Sequence, residues 1–318
     1  MGAEREFADD ARGQRYLWRV SELREGFRAG LESVETITTL LQRVRNAHPT
    51  SGLYEAAEFQ WWWGVERATD TLDQLFWFDK HDQPAAAVIA TDFSARGSAV
   101  YAEPVLVVSV LPDASPDWIA HVVDRGLAHA AEHGMTSVEL EVDRADHVMR
   151  DLLFGRSFAV KDDGLIDCWL DASNRPPVSD LHDNYRLASR VDTVGSPHHM
   201  TDPRRPNIEP RLQQTSLYRP DLDLVVLDAD DNPAGYGMFW HDPVSATGIV
   251  EPMRTHDDHQ QRGLARHILT SGIDRLAQAG AERISIGFEP ENVAQVRCMK
   301  ASGSCPTAKP TWSATDWR

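Results

Sequence analysis

Gly248-Ile249-Val250-Glu251-Pro252-Met253-Arg254-Thr255, then His256-Asp257-Asp258-His259, then Gln260-Gln261-Arg262-Gly263-Leu264-Ala265-Arg266, are the three consecutive pieces on which the reading of this 318-residue sequence turns. The first has the alternating pattern of a strand. The second is a polar turn. The third opens a helix to about Ala279, with apolar residues at 264, 265, 268, 269, 273, 276 and 277 on one face. A strand that turns into a helix brings unpaired backbone N–H groups together at the positive end of the helix dipole. That point is an anion site suited to phosphate. Gly263 leaves no side chain between a phosphate and the backbone, Ala265 keeps the next position slim, and Arg262 and Arg266 add positive charge.

The residues downstream extend the pattern. The strand-like run 283–288 follows a glycine stop at Gly280, and Glu291-Asn292-Val293-Ala294 comes next. Taken together, the segment resembles the acetyl-coenzyme A motif of the GCN5-related N-acetyltransferases (GNAT), Gln/Arg-x-x-Gly-x-Gly/Ala. Gln260, Gly263 and Ala265 stand in its fixed places, and Asn292-Val293-Ala294 is similar to the family's Asn-x-Ala helix start. The resemblance covers roughly residues 180–318, and more faintly the first half.

The resemblance implies acetyl-CoA as cofactor, with the strand 251–255 splayed from 284–288. The backbone near Met253 and Thr255 then holds the pantetheine arm in the gap, although simple core packing competes for Met253. The implied cofactor contacts are Met253, Arg254, Thr255, Gln260, Gln261, Arg262, Gly263, Leu264, Ala265, Arg266, Asn292 and Met299. Two positions depart from the pattern. Met299 stands where many members carry a Tyr that protonates the leaving thiolate, and the usual Gly-Phe is Gly303-Ser304. Water can protonate a CoA thiolate, and positioning alone still favours transfer. An amine acceptor must lose a proton, so a base is expected. Glu251 is the candidate, placed by alternation on the face of Met253 and Thr255; pairing with Arg254 is the competing role. His241, at the end of the preceding strand, is the second choice.

The chain also repeats itself. Gly126-Leu127-Ala128-His129-Ala130-Ala131-Glu132-His133-Gly134 and then MTSVELEVD recur 146 residues later as Gly272-Ile273-Asp274-Arg275-Leu276-Ala277-Gln278-Ala279-Gly280 and AERISIGFE. DKHDQPA from Asp79 recurs at an offset of 149 as DADDNPA from Asp228, a polar turn between apolar runs in each case. The expected fold is α/β (α+β), two tandem GNAT-like domains, each a twisted mixed sheet flanked by helices. Such a tandem architecture is similar to that of mycothiol synthase. Helical patterns are expected at 34–44 and 53–63. The expected division is a loose tail over 1–15, a degenerate domain over 16–174, and an acetyltransferase domain over 175–318. SNRPPVS at 173–179 supplies the linker, and the proline-rich stretch 195–210 is an irregular loop or a replaced first helix.

At the offset of 146, Gln260, Gly263, Ala265 and Glu251 correspond to Ala114, Asp117, Ile119 and Val105. Charge and bulk there oppose a pyrophosphate, so no cofactor is expected in the first half. Phe59-Gln60-Trp61-Trp62-Trp63 is either a core segment or an aromatic wall of the substrate cleft.

Composition sets the outer limits. A net charge of −17 argues against a nucleic-acid surface, which needs clustered Lys and Arg. It is compatible with a cationic amine substrate and equally with solubility alone. Cys168, Cys298 and Cys305 form neither a disulfide framework nor a metal motif, so a reducing cytoplasm is expected. Neither a signal region nor a membrane-length apolar run is present. DADDN at 228–232 fails as a calcium loop because Pro233 and Phe239 stand where Gly and Glu are needed. His198-His199 reads as a solvated pair, and no metal is expected. The function expected is acetyl transfer from acetyl-CoA to a small-molecule amine at one site in the second half, by a monomer or homodimer. The alternative is a non-catalytic acyl-CoA-binding, regulatory or scaffold protein.

Overall fold

The computed structural model describes residues 23–49, 52–93, 103–203, 205–288 and 306–315. The expected tail 1–15 and the motif residues Asn292, Met299, Gly303 and Ser304 lie outside these. In the first half the elements are β1 (Arg24–Arg28), α1 (Gly30–Ala47), α2 (Ala56–Trp63), β2 (Gln74–Phe78), β3 (Pro84–Thr91), β4 (Val105–Val110), α3 (Pro116–Glu132), β5 (Ser137–Glu141), α4 (His147–Phe154) and β6 (Ala159–Asp171). The second half has β7 (Arg186–Ser189), α5 (Ile208–Leu212), β8 (Asp223–Leu227), β9 (Pro233–Asp242), β10 (Thr247–Thr255), α6 (Leu264–Gln278), β11 (Arg283–Phe288) and β12 (Pro306–Thr315). Among the described residues each half therefore opens on a strand. Between β7 and β8 the five-residue α5 is the only α-helix among the described residues, where the first half has two.

The repeat is visible bond by bond. In the β2–β3 turn Asp79 Oδ1 accepts from the N–H groups of His81 and Gln83, and Asp82 has φ 58°. In the β8–β9 turn Asp228 Oδ1 accepts from Asp230 and Asn232, and Asp231 has φ 62°. The aligned glycines of the long helices match as well. A Cβ on Gly126 would lie 2.9 Å from Val88 of β3, and one on Gly272 would lie 2.0 Å from the Phe239 ring of β9. Both helices press on their sheets at a point that tolerates no side chain.

All twelve strands of the described residues form one sheet, ordered β1-β2-β3-β4-β5-β12-β6-β11-β10-β9-β8-β7. The order is symmetric about its centre because the halves exchange their last strands. β12 pairs antiparallel with β5, and β6 pairs antiparallel with β11. Each half keeps its mixed sheet flanked by helices, and the exchange joins the two into one. Trp312 and Ala314 of β12 pack in the first half's core with Leu140 and Trp118, while Cys168 and Leu170 of β6 pack in the second's with Ile284 and Ile286. The expected boundary at 174/175 falls at the end of a short turn, Ala172–Asn174, that follows β6 directly.

A third core is shared. Phe59, Trp61 and Trp62 of α2 pack with Met238, Trp240 and Ile249 of the second half, so these three rings are core, while Trp63 is half-buried and its Nε1 donates to Gln214 Oε1 at 2.9 Å. Gln60 ties the halves by polar bonds, donating to Ser216 Oγ at 3.0 Å and accepting from Leu217 N at 2.7 Å. Among the described residues no helix is long and apolar enough to cross a membrane.

Candidate functional site

Strands β10 and β11 run parallel and pair only through Thr247–Arg283, Gly248–Ile284 and Ile249–Ser285. Beyond Ile249 they separate, so the wall from Val250 to Thr255 has no ladder partner on that side. A bulge marks the point of separation. Val250 pairs with Phe239 and Met253 with Gly237, so Glu251 and Pro252 together stand opposite Met238. The Glu251 carbonyl accepts from Trp240 Nε1 at 2.7 Å.

The bulge corrects one expectation. Straight alternation places Glu251 with Met253 and Thr255. The register instead keeps Met253 and Thr255 on the face of Gly237 and Gly235 and turns Glu251 to the opposite face, with Met238. His241, the second choice for a base, pairs with Gly248 at the closed end of the gap. It is five positions from Met253, about 15 Å along a strand, and is buried.

At the open end β10 leads through His256 and the short turn Asp257–His259 to residues 260–263, which are exposed. Gln261 and Gly263 have φ of 61° and 79°, and a Cβ on Gly263 would meet nothing within 4 Å. Glycine at 263 is therefore favoured by the backbone, and the space above it is open. No side chain caps α6, so its first N–H groups point out uncommitted. Leu264 is buried as an anchor, while Ala265 and Arg266 are exposed on the first turn. Arg262 is held by Tyr185 Oη at 2.7 Å and by the Asp258 carbonyl at 3.1 Å. Tyr185 Oη lies 3.0 Å from His259 Nδ1. Gln260 Nε2 donates to Asp257 Oδ1 at 3.2 Å, and Arg254 is exposed. Thr255 Oγ1 is buried with no hydrogen-bond partner among the described residues. An orphaned hydroxyl, an uncapped helix start and an open glycine fit an amide-bearing arm ending in phosphates.

In the first half the corresponding helix start is closed. The ends of α3 and α6 keep the offset of 146, but α3 begins two residues early, so Ser115 rather than Asp117 is its N-cap. Ser115 Oγ accepts from Trp118 N at 3.2 Å, Pro116 has no N–H to offer, and Asp117 puts negative charge on the first turn.

Sequence reasoning missed a buried polar cluster on the Met238 face, where Asp223 pairs with Met238 across β8 and β9. His198 and His199, read as solvated, are buried beside it. His198 Nε2 lies 2.8 Å from Asp223 Oδ2, Tyr218 Oη donates to the same oxygen at 2.8 Å, and His199 Nε2 lies 3.0 Å from Oδ1 without hydrogen-bond alignment. Burial alone would raise the Asp223 pKa. The His198 bond and the adjacent His199 ring outweigh it and hold the carboxyl well below the usual range. Burial and then the Asp223 charge push the Tyr218 phenol far up, so it remains a neutral donor. The two His and Asp223 are close enough to surround a metal ion. Met200 N, however, donates to His198 Nδ1 at 3.2 Å, which puts the ring proton on Nε2, toward Asp223, rather than leaving that nitrogen to a metal. The sequence signal was faint because Asp223 lies 25 residues from His198.

Comparison with known proteins agrees with this architecture. Residues 182–303 match the family model described as Acetyltransferase (GNAT) family. No curated protein matches the sequence. Among solved structures, a tandem GNAT protein from the clavulanic acid biosynthesis pathway superposes with a TM-score of 0.62 at 14% identity, over 93% of this chain and 99% of that one. A GCN5-related N-acetyltransferase from Sphaerobacter thermophilus gives 0.58 at 12% identity, over 92% and 96%. The second half carries a GNAT-family domain, and the whole chain has the tandem GNAT fold.

Proposed function

We propose that this chain, with a GNAT-family domain in a tandem arrangement, transfers an acetyl group from acetyl-CoA to the amine of a small molecule at one site in the second half. The observation that carries the reading is the uncapped start of α6 behind Gly263, at the mouth of the gap that β10 leaves beside β11. The backbone of residues 261–266, with Arg262 and Arg266, would hold the pyrophosphate. Thr255 Oγ1 and the unpaired β10 backbone would hold the pantetheine arm. Bound there, acetyl-CoA supplies an activated acyl thioester.

The chain's own part is to orient and to move a proton. The bulge turns Glu251 to the Met238 face, so the acceptor approaches from there, in front of the β10 wall. Glu251 takes the proton that the acceptor's ammonium must lose before its nitrogen attacks. Asp223, on the same face, is two strands away, about 10 Å, and adds negative potential for a cationic acceptor. The departing thiolate is protonated by water, since Met299 carries no proton to donate.

A second reading, a non-catalytic acyl-CoA-binding protein, draws on that same Met299. Thiol release with acetyl-CoA and an amine panel separates the two. The enzyme reading expects turnover with at least one amine, and Glu251→Gln is expected to lower kcat/KM by about 10²–10⁴ with acetyl-CoA affinity unchanged. Tight acetyl-CoA binding without turnover would favour the second reading.

A further inference from the structure

The first half has its own gap. β4 and β5 pair in parallel only at Val105 and Glu139, and beyond that point they enclose a cavity of about 440 Å³ that passes through the sheet. Leu41 of α1 closes one face of it and Ile119 of α3 and Met149 of α4 the other, with Val108, Leu140 and Val142 as walls. Small-molecule pockets commonly have volumes of roughly 300–1,000 Å³, and this one is within that range.

Its polar lining has one sign. Glu141, Asp143 and Asp146 line the end where β5 turns toward α4, and among the described residues no Lys, Arg or His lines the cavity. Asp143 Oδ1 accepts from Ala145 N at 2.8 Å and Asp146 Oδ1 from Met149 N at 2.9 Å. These bonds fix both carboxylates in place, and neither has a cationic partner among the described residues. A phosphate or carboxylate ligand would face Asp143 and Asp146, two like charges. The helix start that would receive a pyrophosphate is closed by Ser115 and Pro116.

We propose that the β4–β5 gap of the first half binds a small ammonium compound with an apolar body. The ammonium lies against Asp143 and Asp146, and the apolar part lies between the strands. The site is separate from acyl transfer, and this inference does not rest on the function proposed for the second half.

The test is calorimetric titration of the full chain, saturated with coenzyme A so that no acetyl group is available for transfer, with n-hexylamine, n-hexanol and hexanoate. Hexylamine is expected to bind saturably and roughly tenfold or more tighter than hexanol, the difference that a charge-assisted hydrogen bond makes. Hexanoate is expected not to bind. Asp143→Asn with Asp146→Asn keeps both local N–H bonds and is expected to erase the preference for the amine over the alcohol. Ala114→Trp is expected to fill the cavity and abolish both, with the urea midpoint reporting that the fold is intact. Absence of amine binding, equal binding of hexanoate, or amine binding unchanged by both variants would each overturn the proposal. The last outcome would place the amine in the second half instead.

Discussion

Trp312, in the last strand of the chain, lies directly opposite Leu140 of the first half and is fully buried there. A residue near the C-terminus thus completes a core built more than a hundred positions earlier. In return, β6 supports β11, the strand from which β10 separates at the candidate cofactor gap.

Trp312→Ala should therefore destabilise the whole chain by about 3–5 kcal/mol, the loss typical of emptying a buried aromatic site. Urea unfolding followed by tryptophan fluorescence and by circular dichroism should move together. Separate transitions, with only one displaced, would contradict the exchanged-strand account.

Gly263→Asp and Gly134→Asp form a matched pair. The two glycines have φ of 79° and 80°, and neither Cβ would meet an atom within 4 Å. Each substitution should cost about 1 kcal/mol of backbone strain. Similar midpoints for the two variants would support that estimate, and collapse of Gly263→Asp alone would show an additional structural role for that loop.

Three histidines predict an acid-side loss of stability. Burial is the leading cause that lowers the pKa of His129, His241 and His256 in the folded chain. An unfolded His titrates near 6.5, so below about that pH the unfolded chain binds more protons. The stability is present above the unfolded value and falls as the pH drops from about 7 toward the lowered folded values. The urea midpoint should decrease between about pH 7.5 and 5, and His241→Gln should reduce the slope. A midpoint that rises over this range would contradict the assignment.

Asp223→Asn should destabilise the chain by about 3–5 kcal/mol, because His198, His199 and Tyr218 are all arranged around its charge. The wild-type contribution is complete above the unfolded carboxyl pKa near 4 and is lost below it, toward the depressed folded value. A neutral effect at about pH 7 would mean that the cluster is not organised by the anion.

Much of this architecture was legible in the sequence. The turns at Asp79 and Asp228 are encoded locally, by an aspartate that bonds its own following N–H groups, so their recurrence exposed the repeat. The strand–turn–helix junction at Gly263 was legible for the same reason, since Gly263 and the start of α6 are neighbours in the chain. The exchange of β6 and β12 was not. An apolar strand carries no mark of whose sheet it joins, and that choice is made by packing at long range. The face of Glu251 was misread because alternation was counted through Pro252, although proline inside a strand is itself a sign of a bulge. Likewise the burial of His198 depends on Asp223, a partner that spacing alone does not reveal.

The most direct test of the central claim is calorimetric titration of acetyl-CoA into the intact chain and into the two glycine variants. One molecule per chain is expected, with binding weakened at least tenfold in Gly263→Asp and unchanged in Gly134→Asp. Two molecules per chain, no binding at all, or full binding in Gly263→Asp would contradict a single cofactor site at the start of α6.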